Sequence, residues 1–124
     1  EEMLIEARKK LKKETLLLKA DVHELPFKGE TFDYVICTEA FHHYYNQEKA
    51  LKEMYRVVKE KGKVIIVDVN FFLPIIHRLF EKVEPGCIKV NNKKEMYKLF
   101  KKTGLINLKQ KRSFLFAVMT EGEK

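Results

Sequence analysis

The fold is decided by the stretch Thr15-Leu-Leu-Leu-Lys-Ala-Asp-Val-His-Glu-Leu-Pro-Phe-Lys-Gly-Glu-Thr-Phe-Asp-Tyr-Val-Ile-Cys37. The short apolar run over residues 15–20 predicts a strand buried on both faces, which Asp21 closes. A polar loop separates it from a second buried strand that begins at Phe32. In an open α/β sheet, ligands bind beyond the carboxyl ends of the strands. We therefore expect Asp21 to lie where a carboxylate can contact a ligand.

The remaining sequence alternates helical and strand patterns, which predicts an α/β protein. The last two strands are joined by the tight, basic pair Lys111-Arg112, and so short a connection permits only an antiparallel pair. The predicted elements are a helix over residues 3–13, strands over 15–20 and 32–38, a helix from the cap Asn46 to the stop Gly62, a strand over 63–69, helices that begin at Pro74 and after the cap Asn92, and strands over 105–110 and 113–120.

The order D-x-x-x-L-P-F and then F-D-x-V-I resembles the class I S-adenosylmethionine-dependent methyltransferases. The resemblance continues through Phe41-His42-His43, then Ala50-Leu51-x-Glu53-Met54-x-Arg56-Val57, then Gly62-Lys63-Val-Ile-Ile-Val-Asp68. It implies a Rossmann-like fold with helices on both faces of a mixed sheet that ends in an antiparallel hairpin. It also implies S-adenosylmethionine as the cofactor and methyl transfer as the reaction.

Two family features are missing from this sequence. The family's first strand runs into a Gly-x-Gly-x-Gly turn, and its second strand ends in an acid that binds ribose hydroxyls. We therefore expect residues 1–124 to form a single partial domain, the C-terminal two-thirds of the family's domain. An enzyme cut short and a naturally shortened relative both remain open. Either way, we expect the chain alone to bind S-adenosylmethionine weakly or not at all.

The resemblance implies a set of cofactor-binding residues. Adenine presents one hydrogen-bond donor and one acceptor on one edge. An Asp can accept from that donor, and a free backbone amide after it can donate to that acceptor. An aspartate can also simply end a strand, so this alternative stays open for Asp21. The residues at the end of the next strand line the methionine part of the cofactor in the family. The cofactor-binding candidates are Asp21, Val22, Cys37 and Thr38, and the substrate-pocket candidates are Glu39, Phe41 and His42.

No catalytic residue and no metal site are predicted. The methyl group leaves a positively charged sulfur, so the protein mainly supplies alignment. Neighbours such as His42 and His43 point in different directions, so they rarely chelate one ion. Glu39 is equally well explained as a solvated acid, and Phe41 as a core residue. Cys37 inside a strand is expected to be an inert, small apolar residue.

Composition limits the partners. The 45% hydrophobic and 35% charged residues indicate a globular rather than a disordered protein. A net charge of +7 makes nucleic acid possible, but the lysines are spread along predicted helical faces, which does not favour it. Two cysteines without metal spacing suit the reducing cytoplasm. No apolar run is long enough to cross a bilayer, so no membrane partner is expected.

The sequence therefore predicts a methyltransferase that acts on a small molecule. A non-catalytic module that keeps the fold is one alternative, and a basic RNA-binding or RNA-modifying domain is another. The strand over residues 32–38 lacks the neighbour that the family's first strand supplies. Its unpaired apolar edge predicts a homo-oligomer.

Overall fold

The computed structural model describes residues 2–124 and confirms the α/β class. A short 3-10 turn over Phe41–His43 follows the first strand. In chain order the elements are α1 (Glu2–Lys10), β1 (Phe32–Thr38), α2 (Gln47–Val57), β2 (Val58–Val69), α3 (Pro74–Val83), α4 (Lys93–Thr103), β3 (Ile106–Phe114) and β4 (Ala117–Glu123).

The four strands form one mixed sheet in the order β1-β2-β4-β3. Strands β1 and β2 are parallel, and both pairs that involve β4 are antiparallel. The predicted C-terminal hairpin is confirmed, but its turn is at Leu115 and Phe116, not at Lys111-Arg112. Lys111 and Arg112 stay in the ladder opposite Met119 and Val118, so pairing continues past the basic residues.

The predicted strand over residues 15–20 is wrong. This segment has no regular secondary structure, and its Leu16 and Leu18 are exposed. A buried parallel strand exists only when a neighbour accepts its hydrogen bonds. In the described chain the outer edge of β1 pairs with no strand, and Asp21 makes only an isolated bridge to Glu24.

The predicted helix caps are confirmed. The Asn46 side chain accepts from the Lys49 amide, and Asn92 forms a capping box with Glu95. Gly104 ends α4 in the left-handed conformation, as a C-terminal glycine should.

The predicted role of Gly62 as a helix stop is wrong, because α2 already ends at Val57. Gly62 lies in β2, where an added Cβ would come within 2.8 Å of the Asp33 and Lys59 carbonyl oxygens. Close packing, not a helix end, requires glycine there. Residues 59–62 form an irregular, bulge-like segment of β2. Regular pairing with β1 starts at Lys63, where the sequence predicted the strand to begin.

One face of the sheet carries the core. Helices α2 and α4 pack on it, and Leu51 and Phe100 meet Val64 and Ile66 there. Helix α1 has no buried residue, so within residues 2–124 it does not supply the helix layer that was expected on the second face. On the opposite face, Tyr34 and Ile36 of β1 are each 60% exposed. The fold therefore has one covered face and one uncovered face.

Candidate functional site

Three segments meet the carboxyl edge of the sheet. The loop after Asp21 packs against the residues that follow β1, because His23 stacks on Tyr45 with ring centroids 3.7 Å apart. Asp68 and Asn70 stand at the end of β2, next to the 3-10 turn after β1. This is the edge at which open α/β sheets bind ligands.

Only one of the two oxygens of the Asp21 carboxylate makes hydrogen bonds. Its Oδ1 accepts from the His23 amide at 2.8 Å and lies 2.6 Å from His23 Nδ1. These hydrogen bonds from His23 hold the pKa of Asp21 below its usual value. Among residues 2–124, Oδ2 accepts no hydrogen bond and the Val22 amide donates none. An ionised acceptor and a free donor are thus adjacent at the sheet edge.

The candidate site also contains His23, which was not predicted from the sequence. It is buried, its Nδ1 contacts Asp21, and its Nε2 accepts from the Asn46 amide at 3.3 Å. It fixes the Asp21 loop to the start of α2. The available signal was the spacing Asp-x-His, in which a side chain can bond two residues on.

An ion pair on α2 holds the other end of this loop. Arg56 donates to the Leu25 and Phe27 carbonyls and to Glu53, and Glu53 accepts from the Leu25 amide. Glu53 and Arg56 are three apart, so both project from one helix face. Glu53 and Arg56 of the Glu53-Met-x-Arg56 motif therefore have a structural role, because they hold the backbone of the Leu25-Pro-Phe27 loop.

The residues at the carboxyl end of β1 and just after it differ in solvent exposure. Cys37 is buried with its Sγ 3.4 Å from Tyr44 Oη, and burial raises the pKa of its thiol. Its side chain therefore belongs to the core, and only its backbone could line a ligand. Thr38 and Glu39 are exposed at the strand end. Glu39 has φ 51°, a left-handed backbone that a non-glycine residue seldom adopts, while its amide donates to Val67.

His42 forms a buried pair with Asp68. Its Nδ1 lies 2.6 Å from Asp68 Oδ1, and both side chains are 4% exposed. Burial raises the pKa of Asp68 even though the hydrogen bond to His42 opposes the shift. Asp68 Oδ2 and Asn91 Oδ1 are buried without a partner in the described chain, and both residues line one small cavity.

Phe41 does not line an open surface. It is fully buried in the hydrophobic core, in contact with Tyr44 in an edge-on geometry. This placement agrees with the packing alternative. Within residues 2–124 there is no group of three or more His, Cys, Asp or Glu side chains that could hold a metal ion. That same part of the chain has no helix long and apolar enough to cross a membrane.

Comparison with known proteins decides the family. The family profile described as a methyltransferase domain matches residues 1–66, more than half of the chain. The chain belongs to the methyltransferase domain family.

Relatives of this methyltransferase-family chain are longer than it is. A demethylmenaquinone methyltransferase of Bacillus cereus is 30% identical over 129 residues, covering 86% of this chain and 54% of that protein. An uncharacterized protein of Methanocaldococcus jannaschii is 49% identical over 51 residues, covering 41% of this chain and 22% of that protein. The chain spans about half or less of the length of the curated relatives that it matches.

Solved structures share the fold. A Thermotoga maritima protein, described as a methyltransferase dependent on S-adenosylmethionine and a possible histamine N-methyltransferase, superposes with a TM-score of 0.82. It is 24% identical and covers 100% of this chain and 70% of its own. A Haloferax volcanii methyltransferase in complex with the activator Trm112 gives a TM-score of 0.83 at 20% identity, over 98% of this chain and 67% of its own. The Rossmann-like methyltransferase fold is thereby confirmed.

Proposed function

We propose that this chain is the acceptor-side part of a methyltransferase that uses S-adenosylmethionine and acts on a small molecule. The observation that carries the proposal is the free pair formed by Asp21 Oδ2 and the Val22 amide. Adenine offers a donor and an acceptor on one edge, so the pair fits it. The cofactor, when bound, supplies a methyl group on a positively charged sulfur.

The residues at the end of β1 and just after it are proposed to line the methionine part of the cofactor and the acceptor. The Cys37 backbone and Thr38 would line the cofactor, and Glu39 and His42 would lie on the acceptor side. Asp68 holds the His42 ring in one orientation, since the short contact engages Nδ1 and leaves Nε2 without a partner in residues 2–124. Alignment of this kind is the main contribution that a protein makes to methyl transfer.

A small-molecule acceptor is supported by the names of relatives. The Bacillus cereus relative is named for demethylmenaquinone, and the Thermotoga maritima structure is described as a possible histamine N-methyltransferase. Demethylmenaquinone and histamine are both small molecules. Cys37 and Cys87 are free thiols, which supports a reducing compartment such as the cytoplasm.

The chain alone is proposed to bind the cofactor weakly. A glycine-rich turn and a ribose-binding acid are missing from its sequence, and several hydrogen bonds at about 1.5–3 kcal/mol each separate a half-site from a complete one. Calorimetric titration of this chain and of a longer form that carries the glycine-rich turn is the test. We expect tight binding only for the longer form. A dissociation constant in the low micromolar range for this chain would refute the half-site.

The open edge of β1 is proposed to pair with a second copy of the chain. In residues 2–124 the outer edge of β1 has no neighbouring strand, and Tyr34 and Ile36 lie exposed beside it. An apolar edge strand is a template for pairing. The two copies would form a homo-oligomer through this edge.

A further inference from the structure

Helix α3 presents its hydrophobic stripe to solvent. Ile75, Leu79 and Val83 follow one another at intervals of four residues, so they share one face of the helix. All three are exposed, Leu79 by 60%. The opposite face carries His77, which is buried, and Phe80. An amphipathic helix normally buries its apolar face, but within residues 2–124 nothing covers this stripe.

The tip of the β3–β4 hairpin is also apolar and exposed. Phe114, Leu115 and Phe116 are all exposed, Phe114 by 76%. Single exposed apolar residues are ordinary, but three in succession at a turn are not.

Helix α3 and the hairpin tip are connected through Phe71. Its ring lies 5.1 Å from Phe80, on the inward face of α3, and 5.6 Å from Phe116 of the hairpin, centroid to centroid. The Asn70 amide donates to the Phe116 carbonyl at 2.7 Å, which fixes the hairpin tip against the end of β2. We call the combined surface the α3–hairpin patch; it consists of Phe72, Ile75, Leu79, Val83, Leu115 and Phe116.

Basic side chains border the α3–hairpin patch. Arg78 and Lys82 are exposed on α3. Arg112 lies 4.1 Å over the Phe72 ring, in the wall of an open cleft of about 490 Å³ that Lys93 and Lys94 also line. The acids of this helix segment face inward instead: Glu81 accepts from the Val90 amide, and Glu84 is half-buried at the helix end.

We propose that the α3–hairpin patch docks on the surface of an anionic lipid bilayer. Apolar side chains flanked by Lys and Arg are the pattern of interfacial helices, which lie in the plane of the interface. Each cation near an anionic surface adds about 1 kcal/mol. The charge complementarity selects an anionic membrane over a neutral apolar partner. The proposal revises the expectation from sequence that no membrane is a partner, and it does not depend on the proposed function.

Flotation with vesicles tests the proposal. The chain should float with vesicles of equal parts phosphatidylcholine and phosphatidylglycerol, and far less with phosphatidylcholine alone or at high salt. Leu79→Ser and Leu115→Ser should each weaken partitioning about tenfold. Lys82→Gln and Lys94→Gln should each weaken it about fivefold, on the anionic vesicles only. Leu16→Ser and Lys101→Gln, at exposed positions outside the patch, are the matched controls and should bind as the parent does.

Three results would overturn the proposal. The first is no flotation of the parent chain with anionic vesicles at low salt. The second is equal loss of binding in the patch variants and the controls, with circular dichroism showing that all are folded. The third is a drop in solution mass on Leu79→Ser without vesicles, together with no vesicle binding by the parent. That result would mean that a second copy covers the patch.

Discussion

At the scale of single residues, the two oxygens of the Asp21 carboxylate differ in their contacts. One oxygen orders its own loop through His23, and the other accepts no hydrogen bond within residues 2–124. The sequence predicted that Asp21 lies at the carboxyl edge of the sheet, although the strand that it was expected to close is not formed. It could not predict that His23 is buried, since burial depends on the later Tyr45 and Asn46.

Asp21→Ala is predicted to weaken cofactor binding by about 1.5–3 kcal/mol, the range for a hydrogen bond to a charged group. Calorimetry on a longer form that carries the glycine-rich turn is the measurement. Asp33→Ala is the matched control, because Asp33 is an exposed acid that pairs with Lys59 and lies away from Asp21 in the sequence. Unchanged affinity together with a large loss of thermal stability would support the alternative that Asp21 merely ends its segment.

Gly62→Ala is predicted to destabilise the fold by about 1–3 kcal/mol, the cost of overpacking. The new methyl group would meet backbone oxygens at 2.8 Å, and backbone cannot rotate away as a side chain can. Urea denaturation is the measurement. Gly29→Ala is the control, since its closest contact would be the Arg56 carbonyl at 3.3 Å, and it should cost less. Equal stability of the Gly62 variant and the parent would contradict the close-packing explanation.

At the scale of elements, features with local causes were predictable. The caps at Asn46 and Asn92 rest on side chains within three residues of the amides that they bind, so the sequence contains the whole cause. A strand over residues 15–20 would need a neighbouring strand, which residues 2–124 do not supply. A local sequence pattern cannot show whether such a neighbour is present. The hairpin turn was misplaced because Lys111-Arg112 looked like a turn, whereas Arg112 bonds the Asn70 and Leu115 carbonyls from within β3.

Helices α2 and α4 are joined by Glu48, and this contact should make stability depend on pH. Hydrogen bonds from Lys102 and then Lys52 lower the pKa of Glu48 to about 2. A carboxyl pKa that is lower in the folded state adds stability above its ordinary value, and this is lost as the pH falls towards 2. We predict that Glu48→Gln melts below the parent at pH 7 and that the two curves converge in acid.

Scanning calorimetry across this pH range is the measurement for Glu48→Gln. Glu14→Gln, which changes an exposed glutamate without a described ion pair, is the control and should leave the melting temperature unchanged at every pH. A gap between the parent and Glu48→Gln that stays constant into acid would assign the loss to packing instead of charge.

At the scale of the whole molecule, the sheet is half covered. The sequence predicted an unpaired outer edge of β1, and no strand of residues 2–124 pairs with that edge. It did not predict the uncovered second face or the outward stripe of α3. Those depend on which side of the sheet each helix occupies, and the same apolar spacing fits either side.

The open edge of β1 leads us to predict self-association at tens of micromolar. Size-exclusion chromatography with light scattering is the measurement. Ile36→Lys should restore the monomer, since a charge on an edge strand opposes pairing. Ile5→Lys, on the exposed helix α1, is the matched control. A 14.8 kDa monomer for the parent chain would mean that the edge does not recruit a second copy.

The Asp21–Val22 pair and the end of β1 are proposed to form one wall of a cofactor site. Titration of the nitrogen-15-labelled chain with S-adenosylhomocysteine, followed by nuclear magnetic resonance, tests this proposal most directly. That compound keeps the adenine and the amino-acid part, and weak binding still moves resonances. We predict shifts at the Val22, Thr38 and Glu39 amides, with α4 unaffected. No shift at millimolar ligand, or shifts confined to α4 and the hairpin, would contradict a cofactor site at this edge of the sheet.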